Sequence, residues 1–457
     1  MAADPTFSII IPTRNRSATL KWTLRTCVEV DHPNFEIVVS DNDSSDETPE
    51  VVAAFNDTRI RYVRTPEFIS MSRNFENGLK HSRGEFLIFI GDDDGILPFG
   101  LRVLETRFRR QPFLDVIDWA LNGFLWPHAP ETELSLNWIS NLRGPVMETA
   151  DQAWNRINHP RSLEYNELNG FNLYHGCVRR RVFEDAESAG APIFGLPIPD
   201  IGAGIRMLRF ARRKVQLDLA ITLNGTSRMS TGLAHSTTQP ADHQKQIRED
   251  FQSQTAAEYP NSMISIFPRS RTNLFLGSLA DEHLERRGDL TQLNLAPWRS
   301  MYIEHLVRLP EANAVALLPE VNSILDWCAQ KGAANKEPLS KDDLDAQRPA
   351  EKRLPHFYSQ PFRFSETAME IAAGATDIRR GRIAEPRIAA MVQRPRGIAI
   401  KARSAGEEFT IHDYVQLTTS VVRCAPFETT KLVNDDPALF RSRVITNILG
   451  HLLTGDD

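Results

Sequence analysis

Cysteine is scarce and scattered. Four occur in 457 residues, Cys27, Cys177, Cys328 and Cys424, with no CxxC pair and no Cys/His ligand spacing. That argues against a zinc site and against a disulfide framework, and reduced thiols in a cytosol are the simplest reading. Long hydrophobic runs are missing too, since no stretch approaches the roughly 18 to 20 uninterrupted apolar residues of a membrane-spanning helix. The opening MAADPTFSIIIP puts an acidic residue where a secretory signal needs a basic region, and its apolar run is short. A soluble, cytoplasmic protein is expected. Nor is there a surplus of positive charge: a net charge of −6 and a pI near 6.1 give no field for nucleic acid and no strong steering toward a membrane surface.

What remains is an ordinary globular composition, 41% hydrophobic, long enough for two or three domains. The first hundred residues alternate strand and helix patterns. FSIII at 7–11 is a β-branched and aromatic run, followed by a helical pattern over 18–30. Strands at 35–40 and 60–63 flank a helix at 46–56; a helix at 70–81 carries Met71, Phe75 and Leu79 on one face, and the apolar strand 86–90 follows. Strands apolar on both sides with helices between them predict an α/β fold with a mostly parallel sheet covered on both faces.

Ligands of such sheets bind beyond the carboxyl ends of the strands. There the chain places Pro12-Thr13-Arg14-Asn15, then Asp41-Asn42-Asp43-Ser44, then Gly91-Asp92-Asp93-Asp94. The first loop is not glycine-rich, so it is neither a dinucleotide fingerprint nor a P-loop. The third sets three carboxylates side by side, and like charges so close call for a positive partner: a lysine, an arginine or a metal.

Farther along, 113–170 is rich in Trp, Asn and Pro and reads as long connections over a sheet. The segment 175–200 gives a short strand, a helix and a loop ending at Asp200; 202–213 reads as helix and 215–223 as strand. The basic cluster Arg206, Arg209, Arg212, Arg213 and Lys214 is expected on a solvated helix face rather than against a membrane. Beyond 242 the patterns are helical, over 271–287, 301–309 and 314–331. Residues 331–352, charged and poor in large apolar groups, predict a linker. The expected domains are therefore 1–241, a helical accessory region at 242–330, the linker, and an α+β region at 353–457.

SIIIPTRNR, EIVVSDNDSSDET and SMSRNFENGLKHSRGEFLIFIGDDDGILP, in this order, together resemble the nucleotide-sugar half of inverting family 2 glycosyltransferases of GT-A fold, over roughly residues 6–235. The resemblance implies a Rossmann-like sheet, a nucleotide-sugar donor, and Mn²⁺ or Mg²⁺ held by carboxylates to stabilise the departing diphosphate. It assigns Pro12, Thr13, Arg14 and Asn15 to the nucleobase and diphosphate, Asp41 and Asn42 to the base, Arg73 to the family's A-R-N arginine, and Asp92 to the donor ribose. Uridine is favoured by Asn42, whose amide both accepts and donates. Counting back from Pro98 makes Asp93 and Asp94 the metal ligands, with Gly91 where the first acid usually stands. Asp92 with Asp94 is the alternative pair, and Asp94 as a cap is another reading.

His235 is either a third metal ligand or a surface histidine. Asp200, after Arg179-Arg180-Arg181-Val182-Phe183 and Gly190, is the catalytic base or a helix cap behind Pro199. The processive members' Q-x-x-R-W motif does not occur, so the resemblance implies transfer of one sugar, or few, to a glycan or lipid-linked acceptor, as in bacterial surface polysaccharide assembly. No nucleic-acid partner is expected; peripheral membrane contact and self-association through the C-terminal region stay open. The alternatives are a binding protein that keeps the donor pocket without catalysis and, behind it, a sugar-phosphate nucleotidyltransferase, which would need a glycine-rich first loop. A response-regulator-like domain would need an acidic pair after the first strand, where this chain has PTRN.

Overall fold

The computed structural model of the chain describes residues 6–347, apart from 120–121, 127–136, 139–145, 162–167, 218–219, 237–240, 268–270, 308 and 336. The expected α+β region at 353–457 lies outside the described residues. The strands are β1 (Phe7–Thr13), β2 (Phe35–Asp41), β3 (Ile60–Arg64), β4 (Phe86–Phe89), β5 (Gly95–Ile96), β6 (Val116–Trp119), β7 (Asn122–Leu125), β8 (Asn137–Trp138), β9 (Val146–Thr149), β10 (Gly176–Arg179), β11 (Arg213–Leu217) and β12 (Thr222–Thr226). The helices of the first part are α1 (Ser17–Val28), α2 (Thr48–Ala53), α3 (Met71–Lys80), α4 (Gly100–Arg110), α5 (Ala150–Asn158), α6 (Arg180–Ser188), α7 (Pro199–Arg206) and α8 (Thr231–Ser236). There follow α9 (Asp242–Glu258), α10 (Met263–Ile266), α11 (Arg271–Arg287), α12 (Leu295–Leu306), α13 (Glu311–Gln330) and α14 (Lys341–Gln347).

The larger sheet has the order β3-β2-β1-β4-β10-β6-β11-β9. β3, β2, β1, β4, β6 and β11 run one way, and β10 and β9 run against them. This mostly parallel sheet with helices on both faces is the architecture expected from the sequence. A smaller sheet, β5-β12-β7-β8, branches from the end where the acidic triplet lies.

Side chains alternate between the two faces of a strand, and here each face has its own core. Ile10, Val38, Leu87 and Phe89 point into one apolar cluster, while Phe7, Ile9, Ile11, Ile37, Val39, Ile88 and Ile90 point into the other. The first cluster continues without a break through α7 into Phe275, Leu276, Trp298 and Leu325 of the C-terminal helices. The helices after 242 therefore share a core with one face of the sheet. Among the described residues, no helix is long and apolar enough to cross a membrane.

Three expectations are corrected. The strand over 215–223 is two strands in different sheets, β11 and β12, because the chain leaves the main sheet to build the smaller one. The basic cluster is a solvated face only in part: Arg212 and Arg213 are exposed, whereas two of its members turn inward. Arg206 is fully buried, with Nε 2.9 Å from Glu282 and Nη2 bonded to Glu285, and Lys214 is buried with Nζ 2.8 Å from Asp118. Carboxylates on distant segments neutralise these cations, which local patterning does not reveal. The expected linker is packed as far as it is described: Leu339 and Leu344 are buried, and α14 forms within it.

Candidate functional site

Four loops meet at the carboxyl ends of β1, β2, β4 and β12. After β1 the backbone turns sharply at Asn15, whose φ is 53°, the left-handed region in which asparagine is among the better tolerated side chains. Asn15 Oδ1 accepts from Ser45 N at 2.7 Å, and its own N–H donates to Ser44 Oγ at 2.9 Å. Asn42 N donates to the Thr13 carbonyl at 2.9 Å, and Arg14 Nη1 to the Asn42 carbonyl at 2.7 Å. The Arg14 guanidinium also lies over the Phe68 ring, 3.6 Å from its centroid. The first two loops are thus locked together by backbone groups.

The acidic triplet joins them. Asp92 accepts from Thr13 Oγ1 at 2.7 Å through one oxygen and from Arg16 Nη1 at 2.9 Å through the other. Asp93 Oδ2 accepts from Ser230 Oγ at 2.6 Å and Ser227 N at 3.2 Å, with Arg16 Nη1 3.9 Å away. Its Oδ1 has no hydrogen bond among the described residues. Arg16 Nη2 reaches the Met229 carbonyl, so the same guanidinium ties the acidic loop to the loop after β12. The positive partner required by the triplet is Arg16, the last residue of the loop between β1 and α1.

Asp94 does different work. Its oxygens accept from Gly91 N at 2.5 Å and Gly225 N at 2.7 Å, and the Tyr174 hydroxyl also bonds it. His175 Nε2 lies 3.6 Å from Asp94; the ring is held by Thr222 Oγ1 at 2.7 Å and Asn224 Oδ1 at 3.1 Å. Gly91 is required here, since a Cβ at this position would collide with the Tyr174 hydroxyl. That explains why no acid stands there. Likewise a Cβ on Gly225 would strike the Asp93 carbonyl, which already accepts from Trp126 Nε1 at 2.8 Å.

Burial governs the titration of this cluster. It pushes the Asp92 carboxyl up to about 6, against the pull of Arg16 and with a further push from Asp93. Burial, then Asp93, holds Asp94 well above the usual carboxylate range. Burial raises the Tyr174 phenol, with Asp94 adding to it, and lowers His175 to about 4.

The other candidates divide. Asp41 and Asn42 lie in the crevice wall but are internally engaged. Asp41 accepts from Ser44 N and the Tyr62 hydroxyl, and Asn42 bonds the Ile69 N–H at 2.9 Å and the Ile69 carbonyl at 2.8 Å. Arg73 faces outward to Glu258 at 2.6 Å and Glu76 at 3.0 Å. Asp200 occupies the first turn of α7 behind Pro199; the cap position is Ile198, without a side-chain cap bond. Burial raises the Asp200 carboxyl. The segment before α7 is fixed on α3 by Ser72 Oγ, which donates to the Leu196 carbonyl at 2.7 Å. His235 falls within α8, but its side chain lies outside the described residues.

Arg16, Tyr174, His175 and Ser230 were not singled out by sequence reasoning. Arg16 stands inside the PTRNR stretch, where only its charge could have marked it. Tyr174 and His175 carry no spacing signal, being about 80 residues from the acids they brace.

Residues 8–141 match the model of the family described as Glycosyl transferase family 2. The chain is 37% identical over 106 residues to GalNAc(5)-diNAcBac-PP-undecaprenol beta-1,3-glucosyltransferase of Campylobacter jejuni, covering 22% of this chain and 34% of that one. It is 34% identical over 92 residues to UDP-Glc:alpha-D-GlcNAc-diphosphoundecaprenol beta-1,3-glucosyltransferase WfgD of Escherichia coli, covering 20% and 36%. The matches span about a third of the length of these relatives. A crystal structure of S. aureus TarS 1–349 in complex with UDP-GlcNAc aligns over 75% of this chain and 90% of that one, at 17% identity and a TM-score of 0.42. Residues 8–141, which hold the loops after β1, β2 and β4, are a family 2 glycosyltransferase segment.

Proposed function

We propose that the protein transfers one sugar from a UDP-sugar to a hydroxyl of a glycan or lipid-linked acceptor, with inversion, in assembly of a bacterial surface polysaccharide. The observation that carries this reading is the junction of the loops after β1, β4 and β12 on Asp92 and Asp93, at the sheet end where such folds take their ligands. The names of the curated relatives, which act on undecaprenol-diphosphate-linked glycans, favour a lipid-linked acceptor.

A divalent ion suits the residues present. The donors are hard carboxylate oxygens, and Asp93 Oδ1 is uncommitted. Among the described residues no group of three or more His, Cys, Asp or Glu is arranged around one point to hold a metal. Mg²⁺ and Mn²⁺ sites can lean on one or two carboxylates and the substrate's phosphates. When bound, the ion would supply positive charge to the diphosphate as it leaves. Asp93 and Asp92 would hold it. Asp94, with both oxygens committed to backbone N–H groups, serves that site by fixing the loop.

Thr13, Arg14 and Asn15 line the donor side, and Pro12 ends the strand that presents them. Asn42 shapes the base pocket through the bonds that set the Ile69 turn, and Asp41 through those to Ser44 and Tyr62. Arg73, turned outward to Glu258 and Glu76, serves this side only by tying α3 to α9. Asp200 takes the proton of the acceptor hydroxyl as its oxygen attacks the anomeric carbon; burial favours the protonated carboxyl and so strengthens it as a base.

The test is turnover of a panel of UDP-, GDP- and dTDP-sugars with Mn²⁺ and undecaprenol-diphosphate-linked acceptors. Transfer from a UDP-sugar is expected, lost in Asp200→Asn while UDP binding persists. Nucleotide retention with no turnover of any sugar would make the protein a binder, and transfer intact in Asp200→Asn would remove that residue from the reaction.

A further inference from the structure

Two neighbouring carboxylates in a buried loop are costly unless a cation stands between them. In this structure that cation is Arg16. Its Nη1 is 2.9 Å from Asp92 Oδ1 and 3.9 Å from Asp93 Oδ2, and its side chain is 17% exposed. Nη2 is held by the Met229 carbonyl and lies 3.5 Å from Thr231 Oγ1. The guanidinium is therefore anchored at one end to the loop after β12, and pairs with the acids at the other.

We propose that Arg16 and a divalent ion compete for Asp92 and Asp93, so that ion entry turns the Nη1 end of Arg16 away from the acids and onto the donor diphosphate. The inference rests on the glycosyltransferase reading and adds a positioning residue to it. Its basis is that both cations are drawn to the Asp92 oxygen that Arg16 now holds, where two positive charges side by side repel. A guanidinium that gives up a carboxylate keeps a full set of planar donors, which fit phosphate oxygens equally well. The Met229 carbonyl supplies a pivot, so the exchange needs a change at one end of the side chain only. The arrangement makes ion binding weak in the free protein and strong once a diphosphate is present to receive the arginine. The acids are thus kept from collecting a cation before the donor arrives.

The test reads Mn²⁺ binding, not activity. Free Mn²⁺ is titrated by electron paramagnetic resonance against the full chain, native and Arg16→Gln, first without nucleotide and then with saturating UDP. Without nucleotide, Arg16→Gln should bind Mn²⁺ about tenfold or more tightly than the native chain, because removing a unit charge within 4 Å lifts a Coulomb term of that order or larger. With UDP the advantage should vanish or reverse. A role confined to bracing the loops would move affinity the other way. Arg16→Lys, which keeps the charge but not the fork, should lie between the two and serves if Arg16→Gln does not fold. If neither variant binds Mn²⁺ more tightly than the native chain without nucleotide, while the native chain binds it with UDP, this inference falls and the functional reading stands. If no form binds Mn²⁺ even with UDP, both fall.

Discussion

The Arg206 guanidinium donates from Nε to Glu282 at 2.9 Å with neither side chain reaching solvent, and this pair joins α7 of the sheet region to α11 of the C-terminal helices. Arg209 Nη1 approaches the same carboxylate at 3.3 Å, and Glu285 bonds Arg206 Nη2. Asp200 lies on the same short helix, so the helices after 242 position the candidate base. A buried charge stripped of its partner is far more costly than the intact pair is favourable. Arg206→Ala should therefore lose about 3–5 kcal/mol of stability in chemical denaturation. Replacing Arg206 and Glu282 together by apolar residues should lose less than the single change, and a double change as damaging as the sum of the two would contradict the pairing.

Gly91 and Tyr174 form a second dependent pair. Gly91→Ala places a methyl group against the Tyr174 hydroxyl and should cost about 1–3 kcal/mol, the usual scale of overpacking. Tyr174→Phe removes the obstructing oxygen, so the double variant should recover stability relative to Gly91→Ala alone. A thermal melt of the four forms decides it: equal losses with and without the tyrosine hydroxyl would mean the collision is relieved elsewhere.

The three acids should separate by role. Asp94→Ala leaves the buried N–H groups of Gly91 and Gly225 without their acceptor, at roughly 1–3 kcal/mol for each. It should lower the melting temperature and weaken UDP binding together. Asp93→Asn keeps an oxygen for Ser230 and should leave the melting temperature nearly unchanged while abolishing Mn²⁺ binding in the presence of UDP. Calorimetry of both variants would refute the division if Asp93→Asn retained Mn²⁺ or if Asp94→Ala melted like the native chain.

A pH term resides in α11. Burial pushes the Asp281 carboxyl up to about 7, against the Ser262 hydroxyl that bonds it and the nearby Arg206, with Glu285 adding to the rise. The folded protein thus holds this proton more firmly than the unfolded chain, whose carboxyl titrates near the ordinary value of about 4. Its contribution is complete below that value and is lost as pH rises through about 7. Asp281→Asn, which keeps an acceptor for Ser262, should remove a fall of a few kcal/mol between pH 4 and 7. Urea midpoints across that range should decline less steeply in the variant; parallel declines would show that Asp281 ionises normally.

The strands at 7–11, 35–40 and 86–90 were legible, to within two residues of their observed ends, because a mostly apolar run buried on both faces needs no distant information. The crevice was legible for a related reason, since parallel strands send their carboxyl ends, and hence the PTRN, DNDS and GDDD loops, to one edge of the sheet. Ion partners and packing seams are of another kind. That Arg16 neutralises the acids, that Arg206 is buried on Glu282, that Tyr174 excludes a side chain at Gly91, and that Leu339 and Leu344 pack each depend on groups from separate segments arriving at one place. A charge in isolation looks solvated whichever way it will turn. Its energy is set by the partner and the dielectric around it, and only the assembled fold supplies both.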